Sequence, residues 1–141
     1  MEEYQMRMWH KDLIEILPRE QLVAQWRELS AIAGSIKLKG TPNHILVNKV
    51  LNYSFNHFIS YAALVRAEMT KRGYRTMNSV WDKITSICND YNIIPFNEIY
   101  PNWMNAEYLE ICYFNLKEKY LCGSIKQEDW EKIYREYWSI M

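Results

Sequence analysis

Between Pro18 and Gly34 the apolar residues Leu22, Val23, Trp26, Leu29 and Ala33 return every three or four positions. That spacing makes one continuous stripe on a helix and scatters over both faces of a strand. Pro18 suits the first turn of such a helix and Gly34 its C-terminal cap. The same punctuated pattern recurs down the chain. Thr41-Pro42 reads as a second N-terminal signature, with Thr41 as cap and Pro42 in the first turn. After it come Ile45, Leu46, Val50 and Leu51, then Phe55, Phe58, Ile59, Ala62, Val65 and Met69, closed by Lys71-Arg72-Gly73. This run is long for one helix, so a break is expected near Asn52-Tyr53-Ser54. A third helix is expected from about Ser79 to Asn89, then an aromatic-rich loop over Asp90–Met104 containing Pro95 and Pro101. Asn105 is positioned to cap a fourth helix ending near Gly123, and Ser124 to Gln127 reads as a capping box for a fifth reaching about Trp138. No stretch alternates as a strand would. The expectation is an all-α fold of about five helices joined by short loops.

The whole chain, 1–141, reads as one helical domain, with residues 1–5 as an N-terminal extension. Six Trp, 11 Tyr and 4 Phe supply large apolar bodies, while only 4 Gly and 4 Pro argue against a low-complexity chain. No apolar run approaches a membrane span, and Glu2-Glu3 is acidic where a secretory signal is basic. Cys88, Cys112 and Cys122 form no CxxC pair, which fits reduced thiols in the cytoplasm. Net charge is zero, from 17 Lys and Arg against 17 Asp and Glu. The two parts differ: residues 1–80 hold 11 cations and 7 acids, and residues 81–141 hold 6 and 10. A basic N-terminal half is able to face phosphates.

His10, His44 and His57 share no ligand spacing with one another or with the cysteines, so no metal is expected. Gly123–Trp130 resembles the back half of a calcium loop, but Lys119, Tyr120 and Leu121 stand where oxygen ligands belong. The glycine-rich and nucleophile-elbow motifs of nucleotide binders and hydrolases are absent. The C-terminal aromatics Trp130, Tyr134, Tyr137 and Trp138 sit at helical spacing; such a stripe is ordinarily core, with base stacking as the functional alternative. On the first helix Glu28 lies off the apolar stripe, on the face of Gln21, Ala24 and Ala31, with small neighbours that leave room for a ligand. Arg27 beside it is a bidentate phosphate donor by chemistry; the plain alternative is a solvated Arg-Glu pair.

Residues 12–34 resemble the pyrimidine-dimer DNA glycosylase family through Gln25-Trp26-Arg27-Glu28-Leu29 and Gly34. Thr41-Pro42 with Ile45-Leu46, the Met69–Tyr74 stretch and, more weakly, Glu110–Lys119 extend the resemblance from Met6 to about Tyr120. The start Met6-Arg7-Met8-Trp9-His10-Lys11 resembles the cellular branch of that family. The resemblance implies a helical DNA repair enzyme without metal or cofactor, acting as a monomer on lesion-containing double-stranded DNA. It implies cleavage of the glycosidic bond at a pyrimidine dimer or related lesion, then nicking of the abasic strand by β-elimination. The implied nucleophile is an N-terminal α-amine, on Met6 if the chain begins there and otherwise on Met1. An α-amine titrates near 8, against about 10.4 for lysine, so far more of it is free base at neutral pH. Glu28 is the implied essential carboxylate and Arg27 a DNA contact near the lesion. The charge of the basic half adds its own candidates for the DNA-binding set: Lys37 and Lys39, in the loop after the first helix, with Arg7 and Lys11 near the terminus, and Gln21 at the position of a family histidine. Two positions depart from the family pattern: a histidine is replaced by Gln21, and an arginine three residues after the glutamate by Ala31. These departures keep open a non-catalytic DNA-binding module with the same fold. A protein–protein adaptor using the aromatic C-terminal helix is the third reading.

Overall fold

The computed structural model describes residues 6–141. Its elements in chain order are a 3-10 helix over Lys11–Ile16, α1 (Arg19–Lys39), a 3-10 turn over Asn48–Asn52, α2 (Phe55–Lys71), α3 (Asn78–Thr85), a short 3-10 turn over Phe96–Glu98, α4 (Ala106–Leu121) and α5 (Gln127–Ile140). No strand occurs among the described residues. The fold is all-α.

α1 packs against α2 and α3, α4 against α5, and the first 3-10 helix lies between α2 and α5. The stripe on α1 supplies Leu22, Trp26, Leu29, Ile32, Ala33 and Ile36 to one contiguous apolar cluster. Phe58, Ile59, Ala62, Val65 and Met69 answer from α2. Every buried apolar side chain among the described residues falls between Met8 and Tyr137.

α1 runs five residues past the glycine expected to end it. Gly34 sits inside the helix where a Cβ would come 3.0 Å from Lys83 Cε, so this glycine serves the close approach of α3. The helix stops at Gly40, whose φ of 77° is left-handed and whose N–H donates to Ile36 O. Lys37 and Lys39 are therefore in the last turn of α1, not in a loop. Thr41-Pro42 does not open a helix either. Thr41 Oγ1 accepts from Asn43 N at 3.0 Å, and Asn43 takes a φ of 54°, so the pair shapes a turn. The expected break before α2 is present, with the 3-10 turn ending at Asn52 and α2 starting at Phe55.

α3 ends at Thr85, earlier than its spacing suggested. The loop from 90 to 104 is ordered by its aromatics: Tyr100 and Trp103 are buried with ring centroids 4.8 Å apart, and His57 stacks on Tyr100. Asn105 caps α4 by accepting from Tyr108 N at 2.9 Å. The capping box at Ser124 does not form, because Ser124 N is taken by Lys119 O in the turn that closes α4, and α5 begins at Gln127. α5 buries Trp130, Ile133 and Tyr137 while Tyr134 and Trp138 stay exposed. Tyr137 stacks on Tyr113 of α4 at 3.7 Å between centroids, so half of that aromatic stripe is core.

Candidate active site

The chain enters the fold as an extended segment, Met6–His10, laid along α1. One side chain fixes it. Gln25, fully buried on the core side of α1, accepts from Trp9 N at 2.8 Å and donates to Arg7 O at 3.0 Å. A buried amide with both ends paired to backbone holds the segment in one register. Tyr61 of α2 supports the pair, its hydroxyl lying 2.5 Å from Trp9 O and 2.9 Å from Gln25 Oε1. From α4, the Tyr108 hydroxyl donates to Met8 O at 2.5 Å, and Cys112 Sγ accepts from His10 N at 3.4 Å. Burial pushes the Tyr61 and Tyr108 phenols well above their ordinary value, so both remain proton donors.

Held this way, the segment passes directly over Glu28. Arg7 N lies 3.4 Å from Glu28 Oε2. Four residues earlier on the same helix face is Ala24 and, beyond it, Gln21 and Glu20, and together they form one wall of a cleft of about 400 Å³. Arg7 and Trp9 close one end. Asn115, Glu118 and Lys119 of α4 and Ser124 of the following turn make the opposite wall. Glu28 is half-buried in this concave surface, with Leu22, Trp26 and Leu29 buried beneath it. The Arg7 guanidinium reaches Tyr108 and Cys112 across the segment. Gln21 Oε1 is buried with no hydrogen-bond partner. The cleft carries three carboxylates, Glu20, Glu28 and Glu118, against the cations Arg7 and Lys119. Its interior is therefore not a cationic channel.

The remaining residues singled out from sequence are dispersed. Arg27 is exposed and outside the cleft lining, about a quarter-turn around the helix from Glu28. Lys37 and Lys39 are exposed some 15 Å further along α1 at about 1.5 Å per residue. Lys11 is not a surface cation: it is buried, and its Nζ donates to Phe96 O and Ile99 O, each at 2.8 Å. Desolvation lowers its pKa for the same reason. Lys11 ties the 90–104 loop to the first 3-10 helix and is unavailable to a phosphate. Ala31 is exposed away from the cleft. Met1, the alternative amine, lies outside the described residues. No group of three or more His, Cys, Asp or Glu side chains suited to a metal ion occurs among the described residues. No helix there is long and apolar enough to cross a membrane.

Several residues of the site were not singled out from sequence. Gln25 carried a signal, a polar residue on the buried side of an apolar stripe. Asn115, Glu118 and Lys119 sat within the weakest block of the resemblance. Ser124 was read only as a helix cap, and Tyr108 carried no signal.

A carboxylate facing the backbone of an N-terminal segment, in an open cleft between α1 and α4, is an arrangement with the chemistry to exchange a proton with a bound ligand. The family model described as pyrimidine dimer DNA glycosylase matches residues 6–82, more than half of the chain. The protein belongs to this family. The match begins at the segment laid over Glu28 and includes all of α1 and α2; the α4 wall of the cleft lies beyond it. Neither a curated protein nor a solved structure matched the chain.

Proposed function

We propose that this protein is a DNA glycosylase with abasic-site lyase activity, acting on pyrimidine dimers or related base lesions in duplex DNA. The observation that carries the reading is the 3.4 Å approach of Arg7 N to Glu28 Oε2, which brings the N-terminal end of the family match beside its candidate carboxylate. An α-amine at or near this position forms a bond to the sugar carbon as the glycosidic bond breaks, and the released pair leaves with the base. The attached nitrogen then gives up a proton, and the C1′–O4′ bond breaks with its pair leaving on the ring oxygen, which is protonated. The nitrogen lone pair forms the C=N bond of an imine, a covalent electron sink. Removal of a C2′ proton then expels the 3′ phosphate, with the electron pair forming the new C2′–C3′ double bond. Glu28 stabilises the positive charge that develops at the nitrogen and carries a proton between these steps. Arg27, Lys37 and Lys39 along the exposed side of α1 supply phosphate contacts, with Arg7 at the cleft mouth. Gln21 and Lys119 face the ligand from the two walls.

The test is borohydride reduction during reaction of the full chain with dimer-containing and abasic duplex DNA. A fixed protein–DNA adduct is expected, and the mass of the modified peptide identifies the nitrogen. Adduct on a lysine side chain overturns the amine assignment. Salt-sensitive DNA binding with no adduct on either substrate overturns the enzyme reading in favour of a binding module.

A further inference from the structure

Gln25 is not alone in gripping the N-terminal segment. His44, half-buried in the turn between α1 and the second 3-10 helix, has its Nε2 3.2 Å from Met6 N. The next nitrogen along the chain, Arg7 N, is the one that faces Glu28. Two consecutive backbone nitrogens are thus each met by a group able to hold a proton. The His44 turn is itself anchored, its own N–H donating to Asn48 Oδ1 at 3.0 Å, while Nδ1 faces Leu46 N at 3.4 Å. A neutral imidazole offers one N–H and one acceptor nitrogen, and passes a proton readily between its partners. When Met6 is preceded by another residue, its nitrogen is an amide and only donates. When Met6 is the first residue, the same nitrogen is an ammonium with a proton to lose.

We propose that His44 is the proton acceptor for the attacking amine: in a chain beginning at Met6, its Nε2 holds the α-amine next to Glu28 and takes the proton that the ammonium must shed. This rests on the glycosylase–lyase reading above. One N–H bond of the ammonium breaks and one Nε2–H bond forms, so the positive charge moves to the imidazole and an electron pair stays on the nitrogen. That pair makes the bond to the sugar carbon. The division of labour is spatial, with His44 preparing the nucleophile on one side and Glu28 meeting the charge that develops on the other.

The experiment compares the full chain with a chain beginning at Met6, which keeps every described core residue, each with His44 intact, as H44A and as H44N. Thermal melts first establish that the variants are folded, and borohydride adduct on abasic duplex DNA is then timed. In the Met6 chain H44A is expected to form adduct about 100-fold more slowly. Free imidazole should restore part of that rate in proportion to its concentration. H44N, which accepts a hydrogen bond through Oδ1 but takes no proton, should stay slow. In the full chain, where Met6 N is an amide, imidazole should leave the H44A rate unchanged. Equal rates for H44A and the intact Met6 chain, or a slow H44A that imidazole does not move, overturn the proposal. If the intact Met6 chain forms no adduct at all, the glycosylase–lyase reading falls and this inference with it; adduct at equal rates removes His44 alone.

Discussion

Tyr61 and Gln25, both fully buried and on different helices, meet with 2.9 Å between hydroxyl and amide oxygen, and between them they hold the backbone of Trp9. The hydroxyl has one proton, and the shorter approach to Trp9 O at 2.5 Å claims it. Gln25 Oε1 is left to accept from Trp9 N. The candidate site is therefore only as well placed as this buried polar knot.

Gln25→Leu is expected to cost about 3 kcal/mol, because it strands Trp9 N–H and Arg7 C=O at about 1–3 kcal/mol per buried unpaired group. Urea unfolding measures the loss. Adduct formation should fall by a larger factor than the population of folded protein, since the segment loses its register over Glu28. A proportional fall of both would show that Gln25 serves stability alone.

Glu28→Gln keeps the size of the side chain and removes its charge. DNA affinity is expected to change little, while base excision drops by about 100-fold or more, the usual scale for an acid–base group. Parallel filter binding and excision assays separate the two effects. Excision at the unaltered rate would leave Glu28 a surface carboxylate.

The lysines are expected to divide by their setting. Lys37→Ala and Lys39→Ala, at exposed positions, should each reduce the salt dependence of duplex binding by about one unit of slope. Lys11→Met should leave that slope unchanged and lower stability by about 1–3 kcal/mol, as two carbonyls lose their donor. Binding across a salt series, paired with melts, checks both.

Acid should destabilise the fold through His10 and His57. Burial lowers both pKa values below the ordinary 6.5, and at His57 the Lys11 charge adds to this. At His10 the carboxylate of Asp12, 3.9 Å away, pulls the other way. Desolvation prevails there, and Nδ1 already accepts from Asp12 N. Each imidazole is neutral when folded and takes up a proton more readily when unfolded, so the unfolded state binds more protons as pH falls. Their contribution is complete above pH 6.5 and is lost progressively below it. Urea midpoints between pH 8 and pH 5 should show the fall, and His57→Gln should make it shallower. An unchanged slope would place the acid sensitivity elsewhere.

Much of the helical pattern was legible because each apolar stripe reports its own period, as on α1 and α2. The end of α1 was not, since Gly34 looks like a stop until the approach of Lys83 explains it and Gly40 supplies the real cap. Ser124 had the spacing of a capping box, but its backbone N–H was already committed to Lys119 O. Glu28 was legible as a carboxylate off the stripe, with room beside it. Lys11 was misleading, because nothing local in the sequence shows that the carbonyls of Phe96 and Ile99 will surround its ammonium. The α4 wall and His44 come to the site through contacts that span the fold, which a local pattern does not encode.

The segment that lies over Glu28 is made long before the residues that hold it. Met8 waits for Tyr108, 100 positions later, and His10 for Cys112, 102 positions later. At about 5–20 residues per second that interval lasts roughly 5–20 s, and pairings so distant in sequence also form late in folding. A nascent chain, or one truncated before α4, exposes the Glu28 carboxylate on a helix but has neither the second wall nor the full clamp on its leading segment. Competence at this cleft thus arrives together with the C-terminal third of the chain, so an unfinished molecule is silent by construction.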